Sequence, residues 1–212
     1  MIGSDCVSSG NLLVIAAPSG AGKTSLVKAL SESMSQLQIS VSHTTRPMRP
    51  GEVSGQDYFF IDLNTFHQLV EKQAFLEHAT VFGNEYGTSR DWVLSHLSKG
   101  IDVVLEIDWQ GAQQVHRLFP QAIRIFILPP SMAVLKKRLE SRGQDNADTI
   151  MKRMMAAQDE MRHFDEFDYL VVNDQFDIAL RDLQHIVLGA RLKTPLQRLK
   201  QAALLENLLK KQ

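Results

Sequence analysis

Apolar residues along this chain follow two rhythms. Four short, nearly unbroken apolar runs stand out: Leu13 to Ala17, then residues 101–108 (IDVVLEID), 122–128 (AIRIFIL) and 168–174 (DYLVVND). Runs of that length and density read as strands buried on both faces. The segments that follow three of them repeat apolar residues at helical spacing: Leu26, Val27 and Leu30 after the first, WQGAQQVHRLF after the second and FDIALRDLQHIVLGARL after the last. Strands alternating with helices predict an α/β fold, a parallel central sheet with helices on both sides.

Two stretches break the rhythm. Residues 41–95 carry clusters of Thr, Arg, Pro and Gly between short aromatic segments, a pattern that suits a small mixed or antiparallel sheet. Residues 131–163 are charged, Met-rich and helical in spacing, with a glycine in the middle. The expected organisation is therefore one core, built from residues 11–40, 96–130 and 164–212, with insertions at 41–95 and 131–163. A last helix is predicted from Thr194 as N-cap and Pro195 as first helical residue. Its apolar side, Leu196, Leu199, Ala203, Leu205, Leu208 and Leu209, is expected to pack on the chain's own core. A partner helix is the alternative, which leaves homo-oligomerisation open.

Composition narrows the partners. A net charge of −1 over 212 residues provides no general basic field for nucleic acid, so any cationic site must be local. No apolar run approaches the roughly 20 residues a membrane span needs. Cys6 alone excludes an internal disulfide framework and suits a reducing cytoplasm. The seven histidines show no metal-binding spacing.

The chemistry starts at residues 17–24, APSGAGKT, a Walker A phosphate loop placed between an apolar strand and an amphipathic helix. Glycines let backbone N–H groups approach phosphate oxygens, Lys23 reaches the β and γ phosphates, and the Thr24 hydroxyl ligates Mg²⁺. Residues 103–108, VVLEID, are expected to deliver Asp108 at a strand end, as in a Walker B strand, with Glu106 beside it on the same face. No Asn-Lys pair occurs, so a Ras-type guanine-reading segment is absent. Positive charge for a moving phosphate comes from Arg138 and Arg142, four residues apart on one helical face, and from Arg153 in the next helical segment. Polarity and a flanking glycine suit a closing lid.

Residues 44–52, TTRPMRPGE, put a proline directly after each of Arg46 and Arg49. Proline drives the residue before it toward extended or polyproline II geometry. In polyproline II, residues three apart lie on one side, roughly 9 Å from each other, so two guanidinium groups could share one anion.

The chain resembles guanylate kinases over nearly its whole length. The matching stretches are APSGAGKTSL, SVSHTTRPMRPGE, DYFF, FLEHATVFGNEYGTS, IDWQGAQQV, FILPPS, RLESRGQ and VVND. The resemblance implies a P-loop three-layer fold that transfers the ATP γ-phosphoryl group to GMP with Mg²⁺. It makes 41–95 a GMP-binding module and 131–163 a lid. For ATP it implies Ala17, Pro18, Ser19, Gly20, Ala21, Gly22, Lys23, Thr24, Ser25 and Arg142, with Asn173 near the adenine. Lys23, Arg138, Arg142 and Arg153 would act on the transferring group. Arg46, Arg49, Tyr58 and Tyr86 would hold the GMP phosphate, and Arg46 would also serve catalysis. Glu77 and Asp108 would accept from the guanine N1–H and 2-amino groups, with Ser42 and Thr88 as hydroxyl contacts. Glu106 stands where such proteins often have aspartate, and a water-mediated metal contact is one role for it. The rival expectations are a non-catalytic guanylate-kinase-like protein-binding module and a kinase for another nucleoside monophosphate.

Overall fold

The computed structural model describes residues 10–141 and 147–210. The first strand, β1 (Leu12–Ala16), is buried at all five positions and leads through the phosphate loop into α1 (Lys23–Ser33) and β2 (Leu37–Ile39). An insertion follows: β3 (His43–Thr44), β4 (Phe59–Phe60), α2 (Leu63–Glu71), β5 (Phe75–Val81) and β6 (Asn84–Ser89). The core resumes with α3 (Arg90–Ser98), β7 (Asp102–Glu106), α4 (Trp109–Leu118) and β8 (Ile123–Leu128). A second insertion holds α5 (Met132–Ser141) and α6 (Ala147–Met161). After a 3-10 turn at Phe164–Glu166 come β9 (Tyr169–Val172), α7 (Phe176–Arg191), α8 (Thr194–Lys200) and α9 (Ala202–Leu209).

The main sheet is parallel throughout, in the order β2-β7-β1-β8-β9. Alternation along β1 sorts its side chains to two sides. Leu13 and Ile15 join Leu26, Val27 and Leu30 of α1 and Leu183 and Val187 of α7. Leu12 and Val14 meet Val93 and Leu97 of α3 and Val115 of α4. That is the three-layer arrangement expected. Each fully buried Leu, Val or Ile contributes on the order of 2 kcal/mol, so the double-sided burial of the central strands carries much of the stability.

Three local expectations need correcting. β2 was not legible, because it has three residues and buries only Leu37. β9 is an edge strand in which only Val171 is buried, whereas an unbroken apolar run predicted burial on both faces. The last helix is broken at Gln201 into α8 and α9. Lys193, not Thr194, is its N-cap, Leu196 is its one buried residue in α8, and α9 buries none. The apolar side of α9 therefore does not pack on the core: Leu208 is 70% and Leu209 is 77% exposed.

The first insertion is a four-stranded mixed sheet, ordered β4-β3-β6-β5, with β3 and β4 parallel and the other pairs antiparallel. Its outer side is covered by α2, whose Phe66 ring lies 4.8 Å from that of Phe75. It is tied to the core through α4, where the Gln114 amide donates to the His78 carbonyl at 2.7 Å and accepts from the His78 N–H at 3.2 Å. The second insertion packs Leu135 and Leu139 of α5 against Ala157 of α6. None of the described helices is long and apolar enough to cross a membrane.

Candidate active site

The carboxyl ends of β1 and β7 open toward the first insertion, the position where open α/β sheets hold their ligands. A cleft of about 270 Å³ lies there. It is lined by Ala17, Pro18, Ser19, Gly20, Gly22, Lys23, Thr24 and Ser25 on the core side and by Ser42, Tyr58, Glu77 and Tyr86 on the insertion side, with Glu106 and Asp108 at its base. Two predicted groups, widely separated in the chain, thus face each other across one space.

The phosphate loop is held from behind. The Ala21 carbonyl accepts from the Asn173 amide at 2.7 Å and from Arg138 Nη1 at 3.3 Å, while Arg138 Nη2 donates to the Asn173 carbonyl at 3.0 Å. Gly22 has φ 91°, and a Cβ there would come within 2.5 Å of Asn173 Nδ2, so both backbone geometry and space require glycine. Asn173, expected near the adenine, is 4% exposed and directs its amide at the loop backbone. Ala21 is likewise fully buried and does not line the cleft. Arg138 touches the rear of the loop, Arg153 is half-buried on α6, and Arg142 lies outside the described residues.

At the mouth, Lys23 Nζ donates to the Ile107 carbonyl at 2.9 Å. The Thr24 hydroxyl donates to Glu106 Oε1 in a short hydrogen bond. β7 ends at Glu106, so the strand-end carboxylate beside Thr24 is Glu106 and not Asp108 as the sequence suggested. Asp108 instead caps α4, its Oδ1 accepting from the Gly111 N–H at 2.9 Å. The oxygens of Thr24 and Glu106 suit a magnesium ion that keeps several water and phosphate ligands. No cluster of three or more His, Cys, Asp or Glu residues with metal-binding geometry occurs among the described residues.

One site residue carried no signal in the sequence. Glu160, on α6, reaches the phosphate loop and its Oε2 accepts from the Ser19 N–H at 3.2 Å. Burial pushes its carboxyl above the usual range. A carboxylate thus sits at a backbone donor of the kind that phosphate oxygens use.

Glu77 is directed inward by a β-bulge. The register between β5 and β6 shifts between Phe75 and Glu77, so Phe75, Leu76 and Glu77 are all buried, and Glu77 comes opposite Thr88. The Thr88 hydroxyl donates to Glu77 Oε1 at 2.5 Å. Burial pushes the Glu77 carboxyl up to about 7, assisted by the Asp108 charge and opposed by the Thr88 hydrogen bond and Lys23. Because the folded pKa lies above the unfolded one, this group stabilises the free protein fully below about pH 4.5 and the contribution disappears as pH rises through 7. Glu77→Gln is expected to flatten that part of the profile, removing a loss of roughly 3 kcal/mol between those limits. Urea unfolding of both proteins at a series of pH values measures it, and parallel profiles would refute the assignment.

The basic segment runs outside helix and strand from Arg46 to Arg49. The chain turns at Gly51, and Glu52 folds back so that its carboxylate takes Arg46 Nη2 at 2.6 Å, Arg46 Nη1 at 3.1 Å and the Arg49 N–H at 2.7 Å. Its hydrogen bond with Arg46 holds the Glu52 carboxyl below the usual range. Arg46 also lies 5.4 Å from the Tyr58 ring and 5.6 Å from that of Phe60. Arg46 is therefore ion-paired and fixed in direction while Arg49 is exposed, and neither lines the cleft itself. Tyr58 and Tyr86 do, their rings 5.8 Å apart edge to face. Burial raises the Tyr58 hydroxyl to about 12, which keeps it a neutral donor.

A strand, a glycine loop with lysine and threonine, a helix and a strand-end carboxylate define a P-loop nucleotide-binding protein. The comparisons narrow this. Residues 9–190 match the family model for guanylate kinase. The chain is 54% identical over 202 residues to a guanylate kinase of Coxiella burnetii, covering 95% of this chain and 98% of that one. It is 56% identical over 200 residues to one of Alcanivorax borkumensis, covering 94% and 97%. The crystal structure of guanylate kinase from Anaplasma phagocytophilum superimposes with a TM-score of 0.78 at 34% identity, covering 94% of this chain and 95% of that one. The chain belongs to the guanylate kinase family.

Proposed function

We propose that the protein is an ATP:GMP phosphotransferase that makes ADP and GDP, and that the cleft between phosphate loop and mixed sheet is where the two nucleotides meet. An oxygen of the GMP phosphate attacks the γ-phosphorus of ATP, and the bond from that phosphorus to the β–γ bridging oxygen breaks. The acceptor is already anionic, so the reaction needs no general base. Its obstacle is repulsion between two polyanions, which fixed cations relieve.

In this reading the loop from Ala17 to Ser25 cradles the ATP phosphates, and Lys23 leaves the Ile107 carbonyl to meet them. Arg138, Arg142 and Arg153 add positive charge from the second insertion, which acts as a lid. A triphosphate and Glu160 compete for the Ser19 N–H, so binding of ATP displaces α6. Thr24, with Glu106 behind it, would hold Mg²⁺, which would supply charge neutralisation at the β and γ phosphates.

Arg46, Arg49, Tyr58 and Tyr86 take the GMP phosphate, with Glu52 aiming Arg46. Glu77 and Asp108 accept from the guanine N1–H and 2-amino groups, with Ser42 and Thr88 beside them. Adenine offers neither donor and would leave buried acceptors unpaired, a discrimination of up to about 10⁴-fold. The observation that carries this reading is the buried Glu77, held by Thr88, which faces the phosphate loop across one cleft. An ADP-release assay with ATP and each of GMP, AMP, UMP and dTMP tests it. Turnover is expected with GMP and at least a hundredfold less with AMP. Absence of turnover with GMP would overturn the proposal.

A further inference from the structure

Gly111 is the third residue of α4, and nothing in the backbone there asks for glycine. Its φ is not among the positive values found at Gly20, Gly22, Gly51, Gly55, Gly83 and Gly100. Glycine is a poor helix former, so alanine would be favoured on helix propensity alone. Space is what glycine supplies. An added Cβ would collide with Glu77 Oε2 and would lie 3.2 Å from both Glu77 Cδ and Ile107 Cδ1. The Glu77 carboxylate thus occupies the volume that a side chain at 111 would fill.

The same residue also contacts the second carboxylate, since its N–H donates to Asp108 Oδ1 at 2.9 Å. Glu77 is fixed at its other oxygen by the Thr88 hydroxyl at 2.5 Å and is 3% exposed. Pushed from the helix side, it is left with the cleft as its way out, into the space proposed for the base.

We propose that Gly111 is a positioning residue for guanine recognition: its missing side chain seats Glu77 against α4 while its N–H orients Asp108. This rests on the reading of those two carboxylates as the guanine acceptors. Gly111→Ala displaces the Glu77 carboxylate by about 1 Å, enough to lower kcat/KM for GMP roughly a hundredfold. Most of the change falls in the GMP KM, and the ATP KM stays within about twofold, because the phosphate loop is untouched.

A double-mutant cycle with Glu77→Ala separates this from a general packing defect. Steady-state kinetics, GMP binding by calorimetry and thermal unfolding are measured for the parent, both single variants and the double variant. Once the carboxylate is gone, Gly111→Ala is expected to cost less than about threefold in GMP binding. A double variant that folds where Gly111→Ala alone does not would also support the steric contact. An equal loss in both backgrounds, or no loss in the parent, overturns the proposal. A Glu77→Ala protein that uses GMP as well as the parent instead removes the reading of Glu77 on which the proposal rests.

Discussion

Lys23→Ala is expected to lower kcat by roughly a thousandfold while the protein remains folded. With no general base in the reaction, catalysis consists of positioning and charge, and a fixed cation at the moving phosphoryl group is worth most where water is excluded. In the free protein Lys23 makes one hydrogen bond, to the Ile107 carbonyl, from a half-buried position. Losing it changes stability by no more than about 1 kcal/mol. Rapid-quench measurement of single-turnover rates, alongside a thermal unfolding curve, checks both halves. A variant retaining a tenth or more of the parent rate would mean that the lysine does not serve the transferred group.

A second large effect, on stability at neutral pH, is expected away from the site. Asp102 begins β7 and its side chain is 2% exposed. Oδ1 accepts from the Asn11 N–H at 2.7 Å and the Asn11 amide at 2.9 Å, and Oδ2 accepts from Arg191 Nε at 2.7 Å. Arg191 continues to the Ser35 carbonyl at 2.8 Å. One carboxylate therefore joins the start of β1, the start of β7, the turn before β2 and the end of α7. Removing one partner of such a pair leaves a cation and buried amide groups unsatisfied. Asp102→Ala is expected to reduce the unfolding free energy by about 3 kcal/mol, read from the shift of the denaturant midpoint at constant slope. Its kcat should stay close to the parent value, because Asp102 is four residues, roughly 13 Å, from the cleft end of the strand. A midpoint that does not move would show that the tie is without energetic weight.

The two effects were not equally visible in the chain. Lys23 belongs to a contiguous motif whose chemistry depends on local backbone, so its place could be read directly. Asp102 stands at the head of an apolar run, and its partners are 91 residues before it and 89 after it. The same distinction explains the misreadings. Proline geometry acts on neighbours and so gave no sign that Glu52 bends back to pair with Arg46. Asp108 was assigned to a strand end from its place after an apolar run, as in a Walker B strand, yet the strand stops two residues sooner and a cap hydrogen bond claims the side chain. Glu160 looked like any charged residue on a polar helix until α6 brought it to the Ser19 N–H.

Glu77 shows how much of the site depends on tertiary structure. Alternation along β5 does not predict three consecutive buried residues, and only the bulge against β6 turns this carboxylate inward. Its altered proton affinity follows from that burial and has no local origin. What the sequence determined by itself was whatever short-range physics controls: the parallel core from apolar runs, the mixed character of the first insertion, and a phosphate loop with its lysine and threonine. Which carboxylate meets Thr24, which cation is already paired, what holds the loop from behind and why position 111 has no side chain were decided by the tertiary structure. Those facts depend on contacts between residues far apart in the chain, where desolvation and steric exclusion act only after the sheets and helices have packed.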